Sequence, residues 1–178
     1  RRSFTGYWEY YLDKPIYVYP MNQAWAGTPL LNDKGQILGI GSLYIADTVS
    51  PGLMSPGNMY VPINVLKPVL KDLIKNGRRT KNINPYLGLS ADDLTGQLSV
   101  SRVNENGPAA NTGIKVGDLI VAVNNTSVKT MKEFYLNAWK AGGPGSTVKI
   151  KVKRDDKNID YSIKSIDRMD YFVKNKGL

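Results

Sequence analysis

Apolar positions along the chain come mostly in short β-type runs broken by turn residues, with two stretches at helical spacing. Tyr7, Trp8, Tyr10 and Tyr11, followed by Ile16 to Tyr19, predict strands that Pro20 stops. Asn32-Asp33-Lys34-Gly35 predicts a hairpin turn between Pro29–Leu31 and Ile37–Ile40. Residues 46–58 hold Pro51, Gly52, Pro56, Gly57 and Asn58, and read as a loop leading to a short strand at Tyr60–Pro62. Val65, Leu66, Val69, Leu70, Leu73 and Ile74 then fall on one stripe of a helix. Asn64 is its expected cap, Pro68 lies in its first turn, and Gly77 stops it.

Residues 78–84 are polar and precede Pro85, which marks a linker and a domain boundary. Beyond it, Leu98, Val100 and Val103 predict a strand. Gly107-Pro108-Ala109-Ala110 opens a short helix that Gly113 ends. Leu119–Val123 predicts a buried strand, turned by Asn124-Asn125. Met131, Phe134, Tyr135 and Ala138 mark one face of a helix over about 130–141, closed by Gly142-Gly143-Pro144-Gly145. Strands at 147–153 and 159–164 form a hairpin across Asp155–Asn158, and 166–178 carries no clear pattern. The chain thus reads as mainly β with a few helices. Its expected divisions are 1–77, a linker at 78–84, a module at 85–165 and a tail at 166–178.

The composition is that of a globular protein: 178 residues, 42% apolar and 22% charged. No apolar run approaches the ~20 residues of a membrane span. The chain has no cysteine and no histidine, so it holds no disulfide, no thiol nucleophile, no imidazole ligand and no Ser-His or Cys-His couple. The net charge is +9, spread over both halves. Its densest cluster, Lys149, Lys151, Lys153 and Arg154, alternates with Val148, Ile150 and Val152, as on the solvated face of a half-buried strand. Aromatic residues are not interleaved with it, which argues against a nucleic-acid surface. Asp92-Asp93 and Asp155-Asp156 read as turn residues rather than metal ligands, and no cofactor is expected. Gly39-Ile40-Gly41 is no phosphate loop, since Tyr44 stands where a third glycine would. Asn124 and Asn125 head sequons but read as turn asparagines. The chain begins with Arg1, without a signal-peptide pattern, and reads as a piece of something longer.

Pro85-Tyr86-Leu87-Gly88-Leu89, Gly107-Pro108-Ala109-Ala110, and Gly113-Ile114-Lys115-Val116-Gly117-Asp118 running into Leu119–Asn124 closely resemble a PDZ domain of the bacterial HtrA/Deg protease type, over about 84–165. The resemblance implies that Tyr86, Leu87, Gly88 and Leu89 form a loop entering an edge strand. Gly88 would admit a ligand's backbone, and successive N–H groups would hold a C-terminal carboxylate. A bound peptide would lie against the 130–141 helix, so Met131, Tyr135 and Ala138 are candidate contacts, although most of that apolar face is expected to be core.

Residues 22–45 in turn resemble the nucleophile segment of a trypsin-like HtrA protease, whose pattern is Gly-Asn-Ser-Gly-Gly-Pro-Leu followed by a turn and a Gly-Ile strand. Gly27, Pro29, Leu30, Leu31, Asn32, Gly35 and Ile37–Ile40 match it, and Met59–Ile63 resembles the entry to the closing helix of such a domain. Residues 1–77 would be the second β-barrel of the pair. Two positions depart. The nucleophile serine falls on Ala26, and the glycine that donates an oxyanion-hole N–H falls on Ala24, which would resist any left-handed backbone there. Gly41, Ser42 and Leu43 would be the edge that pairs with substrate backbone. The histidine and aspartate of the triad would lie upstream of Arg1. Two readings follow: the C-terminal portion of an HtrA-type serine endopeptidase of protein quality control, or a non-catalytic pseudoprotease and PDZ module that binds peptides. Under either, this chain cleaves nothing, and Ala26 is natural or engineered. The family implies a periplasmic or cell-envelope location, peptides or unfolded proteins as partners, and a homo-oligomer for the full-length protein.

Overall fold

The computed structural model describes residues 2–175. The chain divides into two compact units: one holds Leu12–Thr80 with the first residues up to Phe4, the other holds Lys81 onward together with Thr5–Tyr11. The second unit therefore takes in a segment that the sequence leaves with the first. That segment belongs to a two-stranded ribbon of β1 (Phe4–Gly6) and β2 (Tyr10–Leu12). Tyr7 and Trp8, expected in a strand, lie instead in the turn of this ribbon, and both are exposed. Glu9 closes the turn with a left-handed backbone, φ +56°, which no strand residue adopts.

In the first unit, β3 (Ile16–Val18), β4 (Pro29–Leu31), β5 (Ile37–Ile45) and β6 (Gly57–Pro62) form an antiparallel sheet in the order β3-β6-β5-β4. The turn between β4 and β5 is where the sequence places it. Asn32 Oδ1 accepts from the N–H groups of Lys34 and Gln36, and Gly35 takes φ +71°. Met59, Tyr60 and Asn58 of β6 are buried. The expected single helix after β6 is two: α1 (Ile63–Leu66) and α2 (Leu70–Asn76). Asn64 lies inside α1 rather than capping it. Pro68 falls beyond the first turn, where its missing N–H and its ring interrupt the hydrogen-bond ladder. Neither helix has a buried residue, and Ile74 is 77% exposed, so the apolar stripe is not a core face. Gly77 ends α2 at φ +66°, as expected.

In the second unit, β7 (Leu89–Asp92), β8 (Ser99–Val103), β9 (Leu119–Val123), β10 (Thr126–Ser127), β11 (Thr147–Arg154) and β12 (Lys157–Lys164) form one sheet. Its order is β12-β11-β9-β8-β7, with β10 paired to β9. β7 is therefore an edge. A 3-10 turn spans Pro108–Thr112 and Gly113 ends it at φ +87°. Helix α3 (Met131–Trp139) buries Met131, Phe134, Tyr135 and Ala138 in the same core as Val148, Ile150 and Val152. The β11–β12 hairpin is tighter than the expected four-residue link. Arg154 pairs with Lys157, and Asp155 and Asp156 both take positive φ in a two-residue turn.

Arg154 does not belong to a solvated face. It forms a bidentate pair with the buried Asp118, Nε–Oδ1 2.5 Å and Nη2–Oδ2 2.6 Å, and also donates to Gly113 O and Tyr161 Oη. Lys151 and Lys153 pair with Asp160 and Asp156 at the surface. The tail, silent in sequence, forms helix α4 (Arg168–Asn175), started by Asp167, whose Oδ1 accepts from the Met169 N–H. No helix among the described residues is long and apolar enough to cross a membrane.

Candidate functional site

The loop entering β7 is set by its backbone. Gly88 sits at φ +70°, and a Cβ there would meet Gly107 Cα at 3.1 Å, so only glycine fits both the torsion and the space. The loop's carbonyls are already used: Leu87 O accepts from Ala109 N–H and Gly88 O from Asn104 N–H, each at 2.9 Å. Tyr86 exchanges backbone hydrogen bonds with Ile166, and its hydroxyl accepts from Asn104 Nδ2 at 2.7 Å. With the carbonyls turned aside, the N–H groups of Leu87, Gly88 and Leu89 converge on one point. Successive amides of this kind form a concavity for an anion.

A carboxylate fills it. Glu9 Oε1 accepts from Gly88 N–H at 2.8 Å and Leu89 N–H at 3.1 Å, and Oε2 accepts from Leu87 N–H at 3.1 Å. Helix α3 supplies a second anchor. Tyr135 Oη accepts from Glu9 N–H and donates to Tyr7 O, both at 3.3 Å, and it also meets the backbone of Ala91 in β7. Arg168 of α4 donates through Nη2 to Trp8 O at 2.5 Å and lies over the Tyr86 ring. Enclosure pushes the Glu9 carboxyl up to about 7, although the three amides and the Arg168 charge pull it down. Burial likewise raises the Tyr135 and Tyr86 hydroxyls. Beside the carboxylate lies a cavity of about 300 Å³ between Tyr86, Arg102, Asn104 and Arg168.

Of the sequence-derived candidates, Tyr86, Leu87, Gly88 and Leu89 come together with Tyr135. Met131 and Ala138 are buried core residues of α3. In the first unit, Ala24 and Ala26 are exposed on the segment before β4, and Ala24 is not among the residues with a left-handed backbone. Gly27 is, at φ +72°. Gly41 N–H donates to Thr28 O and Gly41 O accepts from Gly27 N–H, each at 2.9 Å, so both polar groups of Gly41 are engaged within the fold. A Cβ on Gly41 would strike Trp25 O. Ser42 and Leu43 are half-buried in β5 at its bulge.

Sequence reasoning missed Glu9, Arg168 and Asn58. Glu9 is the one acid in an otherwise aromatic stretch, which is a weak signal. Arg168 follows Asp167 in a tail with little periodicity. Asn58, fully buried, accepts from Asn22 N–H at 2.7 Å and holds the segment before Ala24.

Residues 85–164 match the model of the PDZ domain family. Serine protease Do-like HtrA of Lactobacillus helveticus is 29% identical over 164 residues, covering 81% of this chain and 38% of the relative. Serine endoprotease DegS of Haemophilus influenzae is 30% identical over 143 residues, covering 75% of this chain and 39% of the relative. The chain thus spans under two fifths of these two relatives. The crystal structure of the serine endoprotease from Yersinia pestis shares the fold with a TM-score of 0.53 at 28% identity, over 83% of this chain and 49% of that one. The HtrA-type protease AlgW with decapeptide has the same TM-score at 19% identity, over 79% of this chain and 45% of that one, a likeness of fold. The chain is thus similar to HtrA/Deg-type serine proteases over most of its own length, and its residues 85–164 match the PDZ domain family.

Proposed function

We propose that the second unit binds the C-terminal ends of polypeptides, and that the chain is the rear portion of an HtrA-type serine endopeptidase of protein quality control in the cell envelope. The observation that carries the binding reading is the convergence of three backbone N–H groups, from Leu87, Gly88 and Leu89, on a single carboxylate. A terminal carboxylate offers the same two oxygens, and the edge position of β7 in its sheet offers a ladder for the residues that precede it. Titration with peptides ending in a free apolar residue is expected to give micromolar affinity, about −8 kcal/mol. Amidating that terminus weakens binding, because it removes the charge that the amides receive. Equal affinity of acid and amide would contradict this reading.

The envelope location rests on relatives named as periplasmic DegP-like proteases. The peptidase chemistry is a property of the family rather than of these residues. Ala26 has no atom that can attack a carbonyl, and the chain contains no histidine to act as base. Casein is therefore expected to survive incubation with this chain and with its Ala26→Ser variant alike. Cleavage by that variant on its own would overturn the account. The second reading, a pseudoprotease that recognises chain ends without cutting, is favoured by Ala26 itself. An alanine codon at that position in the source gene supports it, and a serine codon supports the protease.

A further inference from the structure

The amide nest is not open in this chain. We propose that Glu9 is a built-in ligand of the Leu87–Leu89 nest, seated by the turn of the β1–β2 ribbon, so that an incoming chain end binds only in competition with it. This rests on the reading of the nest as the terminus site and names what controls access to it.

Three observations carry it. First, both carboxylate oxygens are used, and all three nest amides are satisfied, at 2.8–3.1 Å. A backbone carboxylate could do no more. Second, the turn that delivers Glu9 is held by side chains of the same unit rather than merely passing by. Tyr135 Oη bridges the Glu9 N–H and Tyr7 O, and Arg168 Nη2 donates to Trp8 O. Tyr135 Oη also meets Ala91, on the strand to which a peptide would add. Third, Glu9 adopts a left-handed backbone, φ +56°, which is unfavourable for a residue with a side chain. Glycine would suit that torsion better, yet the turn carries a residue whose side-chain carboxylate reaches the nest. A binding-competent state that is only part of the population lowers apparent affinity by that fraction.

Peptide affinity is measured on the full 178-residue chain and on Glu9→Gly, which removes the carboxylate while suiting the left-handed torsion. The free-acid peptide is expected to bind Glu9→Gly roughly fivefold to a hundredfold more tightly than the unaltered chain, with the preference for acid over amide retained. Equal affinities with that preference intact would overturn the built-in ligand and leave the terminus site standing. Failure of both proteins to distinguish acid from amide would overturn both. An independent readout needs no variant. With the Glu9 side-chain carboxyl labelled with 13C, its NMR resonance is expected to move to its free-solvent position as peptide saturates the unaltered chain. A resonance that stays put while peptide binds overturns the competition.

Discussion

At the scale of single residues, the contrast between Glu9 and Asp118 is instructive, since both are enclosed carboxylates met by N–H donors. Burial pushes each toward the neutral form. For Asp118 the bidentate Arg154 and the Lys115 N–H outweigh burial and hold it below the ordinary carboxylate range; for Glu9 three amides and Arg168 do not. A guanidinium fork in direct contact brings a full charge, whereas backbone dipoles bring fractions of one. Replacing Asp118 by Asn removes one anchor of Arg154 and is expected to cost about 2 kcal/mol in urea unfolding. Because the folded-state value is lowered, the stabilisation from Asp118 is present above the ordinary carboxylate range and lost as pH falls through its folded value. The Asp118→Asn cost should therefore shrink on acidification. A cost that is constant down to acid pH would count against it. Asp118 itself is visible in the sequence as part of Gly117-Asp118-Leu119. Its partner, 36 residues on, is not, because alternation shows which face a strand residue takes and not what that face meets.

At the scale of elements, local rules worked where an element makes its own hydrogen bonds. Helix α3 begins at Thr130, whose Oγ1 accepts from the Glu133 N–H at 3.2 Å, while the Glu133 carboxylate reaches back to the Lys129 N–H at 2.7 Å. The two bonds fix the helix start that the apolar spacing from Met131 to Ala138 predicts, in the manner of a capping box whose return bond falls one residue earlier. Thr130→Ala should lower stability by about 1 kcal/mol, read as a shift of the urea midpoint without a change of slope. An unshifted midpoint would show that the cap does not contribute. The same rules failed at Pro68, where an unbroken apolar stripe suggested one helix. Periodicity records which side chains would align if the backbone ran on, and the proline decides that it does not. They failed again at Tyr7 and Trp8, whose aromatic character suits a strand but whose neighbour Glu9 turns the chain.

At the scale of the whole molecule, the second unit couples its sheet edge, α3, α4 and the turn at Tyr7–Glu9 through one carboxylate. Its charge sets a pH dependence. Held near 7 rather than the ordinary 4.5, the Glu9 carboxyl costs about 3 kcal/mol more to ionise in place than in water. Since the docked value is raised, docking is fully favoured below about 4.5 and weakens as pH rises through about 7. The charged group that acts on it is Arg168 of α4, with the Tyr86 and Tyr135 hydroxyls nearby and Arg102 of β8 and Tyr171 lining the adjacent cavity. An added peptide's terminal carboxylate is ionised throughout that range. Peptide affinity for the unaltered chain should therefore rise from about pH 5 to about pH 8, and the rise should be absent in Glu9→Gly. Parallel pH profiles for the two proteins would remove Glu9 as the source.

The mainly β character, the Tyr86–Leu89 loop with its obligatory glycine, and the alternation that buries Val148, Ile150 and Val152 are legible in the order of residues. These are properties of backbone torsion and strand period, which neighbours along the chain dictate. What sits in the amide nest, what Arg154 holds, and that Arg168–Asn175 forms a helix against Tyr86 emerge only when the chain is folded. Each depends on residues tens of positions apart meeting in space, and an isolated glutamate or arginine carries no mark of its distant partner.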